Sequence, residues 1–290
     1  MSSNLSSQPP TSISFQLTYP SPGILLVTIS RPKAMNSIPY PAHYEADEIF
    51  QWFDNEPSLR VAIITGSGTK AFCAGQDLIE LNNAKSAPSF ASEPSSNGRP
   101  GRGHPPTGFA GISRRVGKKP IVAAVNGFAL GGGFEICLNC DLVVASPTAS
   151  FGLPEAAVGL YAAAGGLPRL IRNVGLPIAS EIALTNRRLS ASEALKFNLI
   201  NKISQSQESV VSEAVELAKK IVLLSPDGVI VTRAGLREAW ETASVEEARR
   251  VVADRYEKEL FAGENMRIGL KAFAGKTRPE WVPKAGGITK

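Results

Sequence analysis

The sequence predicts an α/β fold, on three observations. Short runs of wholly apolar residues recur along the first two-thirds of the chain. Glycine-rich turns follow several of them, and helical periods follow the turns. Strand–turn–helix units repeated in this way build a mainly parallel sheet with helices packed on it. Beyond about residue 190 the pattern becomes helical throughout.

Taken in order, residues 1–12 are rich in Ser and Pro and are expected to be disordered. Ile24 to Ile29 reads as a buried strand, and Pro39 to Phe53 carries a helical period. Val61 to Gly66 is a second buried strand ending in a turn. Ala84 to Thr107 is rich in Ser, Pro and Gly, and a loop of that length inside a domain is usually functional or disordered. Ile121 to Val125 is another strand, with a helix from about Gly132 and a strand again at Leu142 to Ala145. Ser190-x-x-Glu193 and Ser244-x-x-Glu247 read as capping boxes. Val211, Ala214, Ala218 and Ile221 recur at helical spacing, as do Met266, Leu270 and Phe273. The apolar faces of these last helices must pack on the α/β body or on another subunit.

Composition narrows the function classes. With 43% hydrophobic and 20% charged residues, the 290-residue chain can bury a full core. Its net charge of +5 comes without any Lys/Arg run longer than two, so no nucleic-acid tail is indicated, while an anionic small ligand is suited. An odd count of three cysteines argues against a disulfide framework, and Cys137-x-x-Cys140 lies inside an apolar helical pattern that reads as packing. His43 and His104 are the only histidines, so no metal site is expected and a Ser-His-Asp triad would have to use one of them. No basic residue precedes Arg31, no stretch is long enough to span a membrane, and the chain does not end in Ser-Lys-Leu. Cytosol is the default expectation; a peroxisomal location without a recognisable signal stays open.

Two carboxylates stand out. Glu135 follows Gly131-Gly132-Gly133, and Glu155 closes Phe151-Gly152-Leu153-Pro154-Glu155. In a dry pocket two carboxylates cannot both ionise freely, and a pair that shares a proton can act as acid and base. Gly75, in Ala71-Phe72-Cys73-Ala74-Gly75-Gln76-Asp77-Leu78, and the Gly131–Gly133 turn could bring two backbone amides to one oxyanion. The plainer alternative is that these glycines only make tight turns. Nucleotide fingerprints fail on spacing: no G-x-G-x-x-G opens the helix, and Gly111 to Gly117-Lys118 is one residue too long for a P-loop. Asp77 reads as a loop support and Asp141 as a cap or turn terminator.

These segments carry a resemblance. With Arg31-Pro32-Lys33-Ala34-Met35-Asn36, Lys119 to Gly127, Ala164 to Leu170 and Phe273 to Lys276, they are similar to the enoyl-CoA hydratase/isomerase (crotonase) superfamily, in family order. The resemblance implies a crotonase-like spiral of ββα units over residues 13–205 and a helical trimerisation region over residues 206–290, assembled as a homotrimer or homohexamer. It implies Glu135 and Glu155 as catalytic residues and the amides of Gln76 and Gly132 as the oxyanion hole. It implies that Lys33, Ala34, Ala74, Leu78 and Lys276 bind CoA. The implied partner is an acyl-CoA thioester and the implied reaction is addition of water to a 2-enoyl-CoA, or its reverse, with no cofactor beyond the CoA of the substrate. Trp52-Phe53-Asp54 and Ala71 to Gly75 are similar to fungal members that dehydrate mevalonyl-CoA, which implies a branched substrate of that kind. Two alternatives stay open: a Δ3,Δ2-enoyl-CoA isomerase, which needs one base, and a non-catalytic RNA-binding member. The chain departs from the common pattern at Ile79, Phe134, Tyr161-Ala162 and Ala163, and the family analogy puts Tyr161 near the site as pocket wall or hydrogen-bond donor.

Overall fold

A computed structural model describes residues 5–85, 104–242 and 244–283. One repeating unit builds its core. β1 (Phe15–Ser21) and β2 (Ile24–Ile29) form an antiparallel hairpin turned at Gly23, whose φ of 77° suits glycine. From there each unit gives one strand to each of two sheets. β3 (Val61–Gly66), β5 (Ile121–Val125) and β7 (Leu142–Ala145) enter a large sheet of order β1-β2-β3-β5-β7-β10, closed by β10 (Lys202–Ile203). Their followers, β4 (Ala71–Cys73), β6 (Phe128–Leu130) and β8 (Ser150–Gly152), enter a small sheet of order β4-β6-β8-β9, with β9 at Leu189–Ser190. This is the expected spiral of ββα units, an α/β architecture.

The large sheet is covered on both faces, which is why its strands read as unbroken apolar runs. Ile24, Val61, Ile63, Val122, Ala124 and Val144 meet α7 (Val210–Val222) through Val210, Ala214, Val215 and Ala218. The alternate residues, among them Val27, Ile64, Ala123 and Val125, point to the main core with Phe50 and Phe53 of α1 (Tyr40–Asn55). Gly66 has no room for a side chain: a Cβ there would lie 2.4 Å from the carbonyl oxygens of Ala71 and Phe72.

Two sequence expectations need correction. Ser6, Ser7 and Ser12 are held rather than free, Ser12 donating to Glu45. The backbone N–H and hydroxyl of Ser6 and of Ser7 all donate to the Glu56 carboxylate at 2.8–3.1 Å, and Trp52 Nε1 donates to Ser7 Oγ at 2.8 Å. Burial pushes the Glu56 carboxyl up, but bonds from Ser6 and Ser58 outweigh it and pull it down to about 2. Composition missed this because the partner of the serines is a single buried acid some fifty residues away. Ser244 is the second case. It accepts from Glu247 N, but no reciprocal bond from the Glu247 side chain is formed; that carboxylate is taken by Arg250. At Ser190 both halves of the box are present, opening α6 (Ala191–Lys196). The expectation for Ala84–Thr107 falls mainly on residues outside the described ones.

After α2 (Leu78–Lys85), α3 (Gly132–Asn139), α4 (Gly166–Val174) and α5 (Leu176–Leu184), the chain ends in α8 (Pro226–Thr242), α9 (Val245–Val252), α10 (Lys258–Ala262) and α11 (Glu264–Gly275). α8 is fastened to the spiral by ions. Arg233 and Arg237 both engage Asp141 at 2.9 Å, and Arg233 also donates to the carbonyls of Val116 and Gly117. Asp141 further accepts from Ile121 N at 2.9 Å. It is therefore more than a turn terminator: it joins two parts of the chain. Among the described residues no helix is long and apolar enough to cross a membrane.

Candidate active site

β4, β6 and β8 are neighbours in the small sheet and run parallel, so the loops that follow them leave from one edge. The carboxyl edge of parallel strands is where such sheets gather ligands. Ala74–Asp77 follows β4, Gly131–Glu135 follows β6, and Leu153–Glu155 follows β8. Topology thus brings together the two glutamates and the two amides that the sequence singled out.

The first two loops touch. A Cβ on Gly75, whose φ is 94°, would stand 3.0 Å from the Leu130 carbonyl oxygen and 3.4 Å from Gly132 N. One on Gly133 would stand 2.1 Å from the Cys73 carbonyl oxygen. Only glycines let α3 start this close to the end of β4. Gly132 opens α3, so its N–H has no partner inside the helix. Gln76 forms a parallel bridge with Ile38, in which Ile38 N donates to Gly75 O and Asp77 N donates to Ile38 O. That pattern turns the N–H of Gln76 itself away from Ile38. Among the described residues neither amide has an acceptor, and both belong to loops in van der Waals reach of each other.

Glu135 lies in the first turn of α3, 3% exposed. Its Oε1 accepts from Gly166 N at 2.8 Å, at the N-terminus of α4. Burial raises its carboxyl to about 7, with the charge of Glu155 adding to the rise and the amides of Gly166 and Ala164 and the charge of Arg169 working against it. Glu155 opens a short turn at Glu155–Val158, and burial raises it too. Its Oε2 is buried with no hydrogen-bond partner among the described residues, and a Cβ on Gly131 would lie 2.9 Å from its Oε1. The glutamates therefore form an electrostatically coupled pair beside the Gly131–Gly132 amides. A carboxyl held at about 7 keeps its proton into the neutral range.

The remaining candidates divide. Ala34 ends a turn at Pro32–Ala34, and Met35 O accepts from Ala74 N at 3.1 Å, so Lys33, Ala34, Ala74 and Leu78 share one rim. Asn36 ties this rim down, donating to the carbonyls of Ser67 and Ala71. Leu78 is 45% exposed, and Lys33 is exposed. Lys276 stands apart at the end of α11, exposed, with a left-handed φ of 51°. Among the described residues no hydrogen bond or ion pair joins it to that rim. Asp77 caps α2, accepting from Ile79 N and Glu80 N, and pairs with Arg31 at 3.0 Å. Tyr161 and Ala163 are exposed. Cys73 and Cys137 are buried free thiols, and burial raises Cys73 to about 12 and Cys137 well above its ordinary value.

Sequence reasoning missed three neighbours. A Cβ on Gly166 would lie 2.7 Å from Glu135 Cγ, so this glycine lets its own amide reach the carboxylate. Phe109 packs on Gly132, where a Cβ would stand 2.5 Å from the ring. His43, fully buried in α1, bonds the Gln76 side chain at 2.9 Å. Neither histidine bonds a Ser or Asp side chain among the described residues, so no triad forms. The one available signal was the rarity of histidine, two in the whole chain, both of which meet at Gln76.

Two carboxylates raised by burial and two backbone amides with no acceptor among the described residues meet at one sheet edge of a ββα spiral, an arrangement suited to moving protons next to a carbonyl. Residues 20–284 match the family model for enoyl-CoA hydratase/isomerase, and the chain belongs to that family. It is 45% identical over 269 residues to the mevalonyl-coenzyme A hydratase sidH of Aspergillus fumigatus, covering 92% of this chain and 94% of the relative. It is 44% identical over 277 residues to the enzyme of the same name from Beauveria bassiana, covering 94% and 96%. Among solved structures, an enoyl-CoA hydratase from Mycobacterium tuberculosis superposes with a TM-score of 0.80 at 30% identity, covering 94% of this chain and all of the other.

Proposed function

We propose that the chain is a hydro-lyase that adds water to a 2-enoyl-CoA or removes it from a 3-hydroxyacyl-CoA, acting on a branched acyl group such as mevalonyl. The meeting at one sheet edge of two carboxylates raised by burial and two amides with no acceptor among the described residues carries this reading. The thioester oxygen accepts from Gln76 N–H and Gly132 N–H. Charge that develops there in the enolate-like transition state is stabilised, each such donor contributing about 3 kcal/mol. Water sits between Glu135 and Glu155. In hydration one glutamate takes a proton from it as the oxygen joins Cβ, and the other delivers a proton to Cα; dehydration runs the same steps backwards. The pair ends each turnover with the proton count it began with. The cycle is redox-neutral and consists of proton transfers, so it calls for no group beyond the CoA of the substrate.

The rim of Lys33, Ala34, Ala74 and Leu78 is proposed to hold the CoA moiety, and Lys276 to meet a phosphate. Exposed Leu236, Phe261, Leu270 and Phe273 on α8, α10 and α11 support a trimer or hexamer in which these faces are covered. A cytosolic location is the default reading. The branched substrate is supported by the two fungal relatives.

The test is loss of enoyl absorbance with a panel of straight and branched 2-enoyl-CoAs. Turnover of none of them would overturn the proposal. Glu135→Ala and Glu155→Ala separate hydration from isomerisation: hydration is expected to collapse in both, whereas moving a double bond would suffer mainly from one.

A further inference from the structure

Gln76 carries more than its backbone amide. Its side chain is fixed by a relay that begins in a strained turn. Ala110 has φ 52° and ψ 32°, a left-handed conformation uncommon for a residue with a side chain, flanked by the Gly108 and Gly111 turns. The Ala110 N–H donates to His43 Nδ1 at 3.0 Å. An imidazole nitrogen that accepts carries no proton, so the hydrogen of neutral His43 is on Nε2. Burial keeps His43 neutral, lowering its pKa to about 3. Nε2–H therefore donates, and the atom it meets at 2.9 Å is the oxygen of the Gln76 amide. The orientation of that amide follows from the histidine tautomer rather than from choice.

What remains is the nitrogen end. Gln76 Nε2 is shut from solvent and has no acceptor among the described residues. Around it stand His104, whose Nε2 is 3.5 Å from Gln76 Oε1, and Phe109, packed edge-on against both imidazoles. The same Phe109 ring lies on Gly132. A buried donor left open next to both oxyanion amides has a cost that folding gives no reason to carry. It is a donor left for an acceptor that a bound ligand would bring.

We propose that the Gln76 side-chain amide is a specificity-determining donor for a hydroxyl on the acyl chain, so that the site selects a hydroxylated acyl group over a plain hydrocarbon one. This rests on the hydratase reading above. A mevalonyl group bears a primary hydroxyl two carbons beyond its β-carbon. The span from its thioester carbonyl to that hydroxyl is comparable to the span from the Gln76 backbone N–H to the end of its own side chain. One residue can thus hold the carbonyl with its backbone and the far hydroxyl with its side chain. Sites built to bond a hydroxyl discriminate strongly against analogues that lack it, because the donor is then left open.

The experiment compares 5-hydroxy-3-methylpent-2-enoyl-CoA with 3-methylpent-2-enoyl-CoA, which differ only in the hydroxyl. The wild-type kcat/KM ratio is expected to favour the first by about 30-fold or more. In Gln76→Leu and in Gln76→Glu, which keeps the shape but loses the donor, the ratio is expected to fall towards one. A wild-type ratio near one overturns the proposal while leaving the hydratase reading intact, and needs no variant to fold. A ratio that survives Gln76→Leu in a protein with native thermal unfolding also overturns it. Turnover of neither substrate, nor of any other enoyl-CoA, overturns the hydratase reading and this inference with it.

Discussion

Two carboxylates, Glu135 and Asp141, stand six residues apart at either end of α3, and the protein treats them in opposite ways. Both are removed from bulk water, and for both the first effect of burial is to raise the pKa. At Asp141 the positive charges of Arg233 and Arg237 and the N–H of Ile121 reverse that effect, and the carboxyl falls below its ordinary value. At Glu135 two backbone amides and a more distant Arg169 do not suffice, the charge of Glu155 adds to the burden, and the carboxyl ends at about 7. Burial alone therefore says little about a carboxylate. What decides is whether the fold supplies cations. Where it does, the acid is a fastener; where it withholds them, the acid is left able to take and give a proton.

The largest expected effect breaks the comparison on the catalytic side. Glu135→Gln and Glu155→Gln keep shape and lose the titrating group. Each should lower kcat for hydration by about 100- to 10,000-fold, the usual range for a general acid or base. Single-turnover rates with a 2-enoyl-CoA check this. On the structural side Asp141→Asn should leave activity per folded molecule largely intact but strip charge from beneath two arginines. Breaking a buried ionic cluster by one partner typically costs about 3–5 kcal/mol, and with 16% of the Asp141 side chain exposed the lower end is expected. Urea unfolding measures it.

Next in size is a difference in pH dependence. Glu135 has a folded pKa of about 7, above its ordinary 4.5, so the folded state holds the extra proton between those values. Its contribution to stability is fully present below 4.5 and is lost as pH rises through 7. Replacing it with Gln removes that alkaline loss. Glu135→Gln should therefore be more stable than wild type at pH 8, on the order of 2–3 kcal/mol, with the gap closing towards pH 5. Asp141 has the opposite sign, its contribution being present above its ordinary pKa and lost as pH falls. Thermal unfolding of Glu135→Gln at pH 5 and pH 8, and of Asp141→Asn at pH 5 and below its ordinary pKa of 3.8, reads the two slopes. Parallel slopes would erase the distinction drawn between the two acids.

How far the site was legible in the sequence follows the same divide. The glutamates and the glycine turns could be read because their residue types are rare in apolar company. The long strands of the large sheet could be read because burial on both faces leaves unbroken apolar runs. The small sheet could not: Ala71–Cys73, Phe128–Leu130 and Ser150–Gly152 are three residues each, too short for any period to show. Yet those strands set the shared edge from which the site loops emerge. The Gln76–His43–Ala110 relay was equally hidden, since it joins residues 33 and 67 positions apart through one tautomer and one left-handed turn. The sequence around Asp141 reads only as a local cap or turn terminator because its arginines lie 92 and 96 residues downstream.

The smallest expected effect tests whether the two regions are separate at all. α3 begins with the Gly132 amide and ends with Asn139, and Asn139 is held from four directions. Its side-chain nitrogen donates to the carbonyls of Ile112 and Arg115, and its side-chain oxygen accepts from Arg169 at 2.9 Å and Arg237 at 2.8 Å. Arg237 alone reaches Asn139 Oδ1, the Asn139 carbonyl and Asp141, which a planar fork can do and a single ammonium cannot. Arg237→Lys keeps the charge near Asp141 and surrenders the geometry at the end of α3. With one neutral-acceptor bond or two lost, the stability cost should be about 1 kcal/mol. If fastening and catalysis are independent, kcat/KM should change by less than threefold. A loss of tenfold or more in kcat, with stability down by only that amount, would mean that the junction positions the oxyanion amide through the length of an eight-residue helix. The contrast between Glu135 and Asp141 would then describe two ends of one device, with the arginines that pair with Asp141 holding still the helix that carries Glu135.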